Sequence, residues 1–158
     1  MNTLGVGDVD RFDLERFLSA QRGAYDDALR EITGGKKRTH WMWFVFPQID
    51  GLGHSAMARR YAITSLDEAK AYLAHPVLGA RLQEIAEAAV ALPETSASSV
   101  FGSPDDLKLQ SCATLFALVS APGSVFERLL DKFFAGERDA ETLRLVSTVK
   151  GSHVLPRR

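Results

Sequence analysis

A chain of 158 residues has room for one domain, and a domain of that size buries roughly 68–70% of its unfolded surface. Nineteen Lys and Arg against twenty Asp and Glu leave a formal charge of −1, which gives no global basic field for nucleic acid or membrane. A single cysteine, Cys112, excludes an internal disulfide framework and any Cys-rich metal centre.

No apolar run approaches the roughly 20 residues of a membrane helix. The opening MNTLGVGDVDRFD lacks the basic and apolar blocks of a signal peptide. The expectation is a soluble, cytoplasmic protein. Residues 1–11 read as a loose lead-in, and 150–158 as a disordered tail in which His153 carries no functional weight.

Residues 12–33 form the first patterned element. Leu14, Phe17, Leu18, Gln21, Tyr25, Ala28, Leu29 and Ile32 recur at spacings of three and four, the signature of one helix face. Gly34-Gly35 ends it, and Gly23 marks close packing or a bend. Residues 41–46, WMWFVF, are apolar on every side and fit either a short helix or an extended core segment. Pro47 closes that block, because the residue before a proline avoids the helical conformation.

Helical patterning then resumes. His54 to Ala62 fits a short helix, and Ser65 is an N-cap for LDEAKAYLA with Glu68 at the N3 position of a capping box. His75-Pro76 fixes a boundary, with Pro76 opening a helix striped by Leu78, Leu82, Ile85, Ala86 and Ala89. Pro93 and the serines of 96–99 break the pattern. Ser103-Pro104-Asp105-Asp106 reads as a capped start for a helix to about Val119. Ser124 caps VFERLLDKFFAG, and a last helix spans about 139–148. The expected fold is all-α: one multihelical domain over 12–149, with six or seven helices and no substantial sheet.

Three blocks resemble a known family. KKRTHWMWFVFPQIDGLGHSAMARRYAI, LAHPVLGARL and FGSPDDLKLQSCATLFA are similar to the bacterial family catalogued as domain of unknown function 1810, over about residues 13–146. The resemblance implies a small multihelical single domain. It carries over no catalytic residue.

The residues themselves suggest a site. His40, beside Trp41 and Trp43, is a candidate acid or base next to a stacking surface; its alternative is a histidine bonded to backbone beside two core indoles. Gln48 leaves the aromatic block with an amide suited to a ligand's edge, or to tying off a loop. Asp50 to Ser55 form a glycine-bearing loop entering a helix, with Arg59 and Arg60 one turn on; an anion cradle and a plain capped turn both fit. Asp105, Lys108 and Cys112 share a helix face, with Lys108 as anion ligand or as half of a surface ion pair. A lone buried cysteine is chiefly a small hydrophobe. The run Lys36-Lys37-Arg38 reads as a solvated turn at a helix end.

The sequence expectation is therefore binding or processing of a small anionic, nucleotide-like ligand beside THWMWFVFPQ. His40 and Asp105 stand as acid–base candidates, and Trp43, Gln48, Arg59 and Lys108 as ligand contacts. No metal, cofactor, nucleic acid or membrane partner is expected, and a monomer and a homodimer are equally open. The alternative is a non-catalytic interaction or structural domain using the aromatic face of Phe126, Phe133 and Phe134.

Overall fold

Gly23 breaks the first predicted helix in two. In the computed structural model, which describes residues 10–148, Gly23 takes φ +79°, a left-handed conformation that glycine enters without steric penalty. The result is α1 (Glu15–Gln21) and α2 (Ala24–Thr33). The aromatic block supplies a single turn, α3 (Met42–Val45), and α4 (Ala56–Arg60) follows the glycine loop. Then come α5 (Leu66–Ala74), α6 (Leu78–Val90), α7 (Ala97–Phe101), α8 (Asp105–Leu118), α9 (Val125–Phe134) and α10 (Ala140–Thr148).

The described residues thus hold ten helices and no sheet; a lone parallel bridge joins Ile49 and Ile63. The all-helical expectation stands, and the expected number of six or seven is corrected. Two helices arise from the break at Gly23. Another, α7, starts where the serine cluster was read as a breaker: Ser96 Oγ accepts from Ser99 N and caps it. The expected lead-in 1–11 and tail 150–158 lie, apart from Asp10 and Arg11, outside the described residues. Asp10 belongs to the fold, since its carboxylate accepts from Glu15 N at 3.0 Å at the start of α1.

Capping explains most of the remaining boundaries. Ser55, Ser65 and Ser124 each accept from the backbone N–H three residues on. At α8 the expectation fails: Pro104 is the N-cap residue, there is no side-chain cap, and the Ser103–Pro104 peptide is cis. Asp106 N instead donates to Gly102 O at 2.8 Å. At α6 the N-cap residue is Val77, without a side-chain cap of its own; in the turn before it, His75 Nδ1 accepts from Val77 N at 3.1 Å and Leu78 N at 3.2 Å.

Helix α8 runs through the centre, packed by α5, α7, α9 and α10. Its residues Ser111 to Ala117 are all buried, so it has no solvent face over that stretch. Phe17, Tyr72, Phe116 and Phe126 form a chain of ring contacts with centroids 5.0–5.6 Å apart, favourable geometries for aromatic pairs. Phe126 is 1% exposed, and Phe133 and Phe134 are half-buried against the same core. Of the aromatic face expected at an interface, Phe126 is core, while Phe133 and Phe134 keep partial exposure. No helix among the described residues is long and apolar enough to cross a membrane.

Candidate functional site

Trp41, the N-cap residue of α3, and Trp43, inside that turn, meet different surroundings. Trp41 is core, with 1% exposure. Its indole N–H donates to Glu31 Oε1 at 2.8 Å. Burial opposes ionisation of Glu31, but hydrogen bonds from the Thr39 hydroxyl, the Arg38 N–H, the Trp41 indole and the Thr39 N–H outweigh it and hold the carboxyl down at about 2. Trp43 is half-buried, and its indole N–H has no partner among the described residues.

Trp43 forms one wall of a 370 Å³ cavity. The loop into α4 supplies Gln48, Leu52, Gly53, His54 and Ser55. The opposite wall is the first two turns of α8, through Leu107, Lys108 and Ser111, with Asp139 arriving from the start of α10. Gln48 is held in place by its backbone: its carbonyl accepts from Ile63 N at 2.8 Å across the isolated bridge. Its side-chain amide has no partner among the described residues. Gly53 makes the loop's close approach, since a Cβ there would stand 2.6 Å from Ala58 Cβ.

The charges of the site are shared. Lys108 Nζ lies 5.2 Å from the Trp43 ring centroid and 3.3 Å from Asp105 Oδ1. The other oxygen, Asp105 Oδ2, takes Lys37 Nζ at 2.9 Å, and Lys37 stands 5.0 Å over Trp41. Two ammonium groups thus share one carboxylate. Lys37 has a side chain only 9% exposed, so within the basic run expected to be a solvated turn only Lys36 and Arg38 are exposed.

Asp139 is committed to structure. Its Oδ2 accepts from Thr142 N at 2.9 Å and Thr142 Oγ1 at 2.5 Å, and its own N–H donates to Thr114 Oγ1 at 2.9 Å. Ser111 Oγ lies 3.2 Å from both Leu107 O and Asp139 Oδ2. An acid at a helix start offsets the orphan N–H groups and the positive end of the dipole. The cation open to a guest is therefore Lys108, with the Gln48 amide and the Trp43 N–H as further donors.

Of the residues singled out by sequence, Trp43, Gln48 and Lys108 line this one cavity, and Asp105 stands behind Lys108. His40 is exposed and is not among the lining residues. Arg59 lines a different depression with Arg60. Helical geometry separates them: on α4, Ser55 and Ala58 share the cavity face, whereas Ala56, Arg59 and Arg60 share the next. Cys112 is buried, and burial pushes its thiol well above the usual value, so it is held protonated within the core. Asp139 was missed. Asp139-x-x-Thr142 is a legible cap signal, but nothing in the sequence says that α10 docks beside Lys108.

The chain is similar to a conserved hypothetical protein, Rv1873 from Mycobacterium tuberculosis, whose crystal structure shares 46% sequence identity with a TM-score of 0.86. The alignment covers 89% of this chain and 100% of that one. No curated protein matches the chain. The model for the protein of unknown function family DUF1810 matches residues 11–146, and the chain belongs to that family.

Proposed function

We propose that this domain binds a small anionic ligand in the cavity beside Trp43. The observation that carries the reading is convergence: Trp43, Gln48 and Lys108 come from two distant stretches of chain, line one 370 Å³ space, and bring polar hydrogens unspent on protein partners. That volume lies within the usual range for small-molecule sites. Lys108 Nζ, the Gln48 amide and the Trp43 N–H stand as donors at its wall, which favours a guest rich in oxygen lone pairs. A ring-bearing anion, such as a nucleotide derivative, fits best: Lys108 takes the negative charge, Gln48 reads a polar edge, and Leu52 and Leu107 cover apolar atoms. Lys108 already occupies a position over the Trp43 ring, so the guest meets the ammonium and the edge of the indole together.

Thermal-shift screening with nucleotides and other small anions tests the reading. A ligand present at a hundred times its Kd stabilises the folded state by about 2.7 kcal/mol, a shift in Tm of several degrees for a domain this size. The expected result is a hit that disappears in K108A and weakens in Q48A. No shift with any anion at millimolar concentration, or a hit unaffected by K108A, overturns it.

A further inference from the structure

A second depression lies across α4 from the cavity. It is an open groove of about 620 Å³ between the start of the chain and α4. Its floor is Arg16, whose side chain is 10% exposed. All five donors of that guanidinium are spent inside the protein. Nε reaches Arg60 O at 2.7 Å, one terminal nitrogen reaches Phe12 O at 2.7 Å and Asp13 O at 2.8 Å, and the other reaches Ala62 O at 2.7 Å and Glu68 Oε2 at 2.9 Å. Arg16 thereby fixes both banks of the groove to one another.

The rim is different. Arg11, Arg59 and Arg60 have no carboxylate partner among the described residues. Arg11 lies over the Phe12 ring at 4.7 Å. Arg60 lies over Tyr61 at 5.5 Å and donates to its hydroxyl at 3.3 Å. Arg59 donates to the His54 carbonyl. Most of the N–H groups of three guanidiniums are thus unspent. Four lining arginines less the carboxylates of Asp13 and Glu68 leave a local charge of +2, on a chain whose formal charge is −1. Glu68 is moreover fully engaged, by Arg16 and by the N–H and hydroxyl of Thr64.

We propose that this groove is a second binding site, for a small, multiply charged oxyanion of the pyrophosphate class. Guanidinium forks bond two oxygens at once, and three arginines without a carboxylate partner outnumber the one unengaged carboxylate of the lining, Asp13, which matches a group carrying several charged oxygens. The lining is more polar than apolar, with Phe12, Ala56 and Ala62 as its apolar residues, so recognition is mainly electrostatic and sensitive to salt. The rigid floor means that the ligand need not organise the banks when it binds.

Titration with inorganic pyrophosphate at low ionic strength, followed by two-dimensional amide spectra of the full chain, tests this. Saturable shifts are expected at residues 11–13 and 59–62, with weaker binding as salt rises. R59Q/R60Q should weaken binding by at least about tenfold, since each lost charge-assisted contact is worth about that factor. R11Q should weaken it less, and K108A should leave it within about twofold, which separates this groove from the cavity beside Trp43. Arg11, Arg59 and Arg60 are exposed, so these variants should fold, as circular dichroism checks. The proposal is overturned by the absence of saturable shifts at millimolar pyrophosphate. Undiminished binding in R59Q/R60Q, equal loss in K108A, or orthophosphate binding as tightly as pyrophosphate each overturn it too.

Discussion

The Lys108 ammonium stands 5.2 Å from the centre of the Trp43 ring, and Asp105 ties it to a second lysine, Lys37, whose side chain is 9% exposed. The two lysines are not equivalent. Lys108 can turn to solvent when its carboxylate is removed, whereas Lys37 is enclosed and would be left with the Thr39 carbonyl at 2.6 Å and the Trp41 ring face, and no counter-charge. D105N should therefore destabilise the fold by about 2 kcal/mol, the penalty of a charged group losing its buried partner. K108A should cost under about 1 kcal/mol, as for a partly exposed ion pair. Urea unfolding of both variants measures the difference. Equal effects would mean that Lys37 does not depend on Asp105.

Glu31 links acid stability to the aromatic block. Its folded carboxyl is held at about 2, below its ordinary value of 4.5. A depressed carboxyl stabilises the fold fully above the unfolded value and loses that contribution as pH falls through the folded one. Stability should therefore decline between pH 4.5 and 2 in part through Glu31, with Trp41 losing its indole acceptor at the low end. E31Q should be less stable at pH 7 and should decline less steeply across that window. The comparison is a pair of urea midpoints at several pH values; parallel curves for the two proteins would remove Glu31 from the account.

Arg16 and Glu68 form the most enclosed ion pair of the described residues, at 10% and 2% side-chain exposure and 2.9 Å. The carboxylate also holds the N–H and hydroxyl of Thr64, at 2.9 and 2.8 Å. Removing one partner leaves the other charge desolvated, which costs about 3–5 kcal/mol. E68Q keeps the shape and the Thr64 contacts but removes the charge, so it should cost about 3 kcal/mol, and R16M as much or more. Chemical denaturation with an unchanged m-value is the expected signature. A loss under about 1 kcal/mol for both would mean that the pair is already well hydrated.

How much of this was visible in the chain depends on the range of the interaction concerned. Ser65, Ser124 and Gly34 act on their own backbone within four residues, and their helix boundaries were readable. Gly23 was flagged, but a glycine inside an amphipathic run does not reveal whether the helix continues or turns, since both keep Tyr25, Ala28 and Ile32 buried. The serines of 96–99 hid a cap because clustered small polar residues look like a loop when the helix they start is only five residues long. Trp41 and Trp43 are alike in sequence. What distinguishes them is Glu31 ten residues before the first and Lys108 sixty-five residues after the second, and the second distance is set by how α8 docks. The same limit hid Asp139. Arg59 was placed in the cavity because it is one turn beyond the glycine loop; a single 100° step along α4 sends it to the neighbouring groove.

Gly79 has a packing reason that its helix propensity conceals. It lies in the first turn of α6, directly after the turn at 75–77 that reverses the chain from α5. His75 closes that turn by accepting from Val77 N and Leu78 N through its ring, while its carbonyl accepts from Gly79 N at 2.9 Å. This draws the start of α6 onto the last turn of α5 so tightly that a Cβ on Gly79 would stand 2.0 Å from Leu73 O and 2.8 Å from Leu73 C. The obstacle is backbone, so no rotamer change relieves it, and one helix must move. In an open helix, Gly to Ala gains roughly 1 kcal/mol. Here overpacking reverses the sign, and G79A should destabilise the domain by at least about 2 kcal/mol. A80G, at the exposed neighbouring position, should lose only about 1 kcal/mol. Thermal and urea unfolding of the two variants decide the matter: a G79A protein as stable as the parent would show that α5 and α6 can separate freely at this turn.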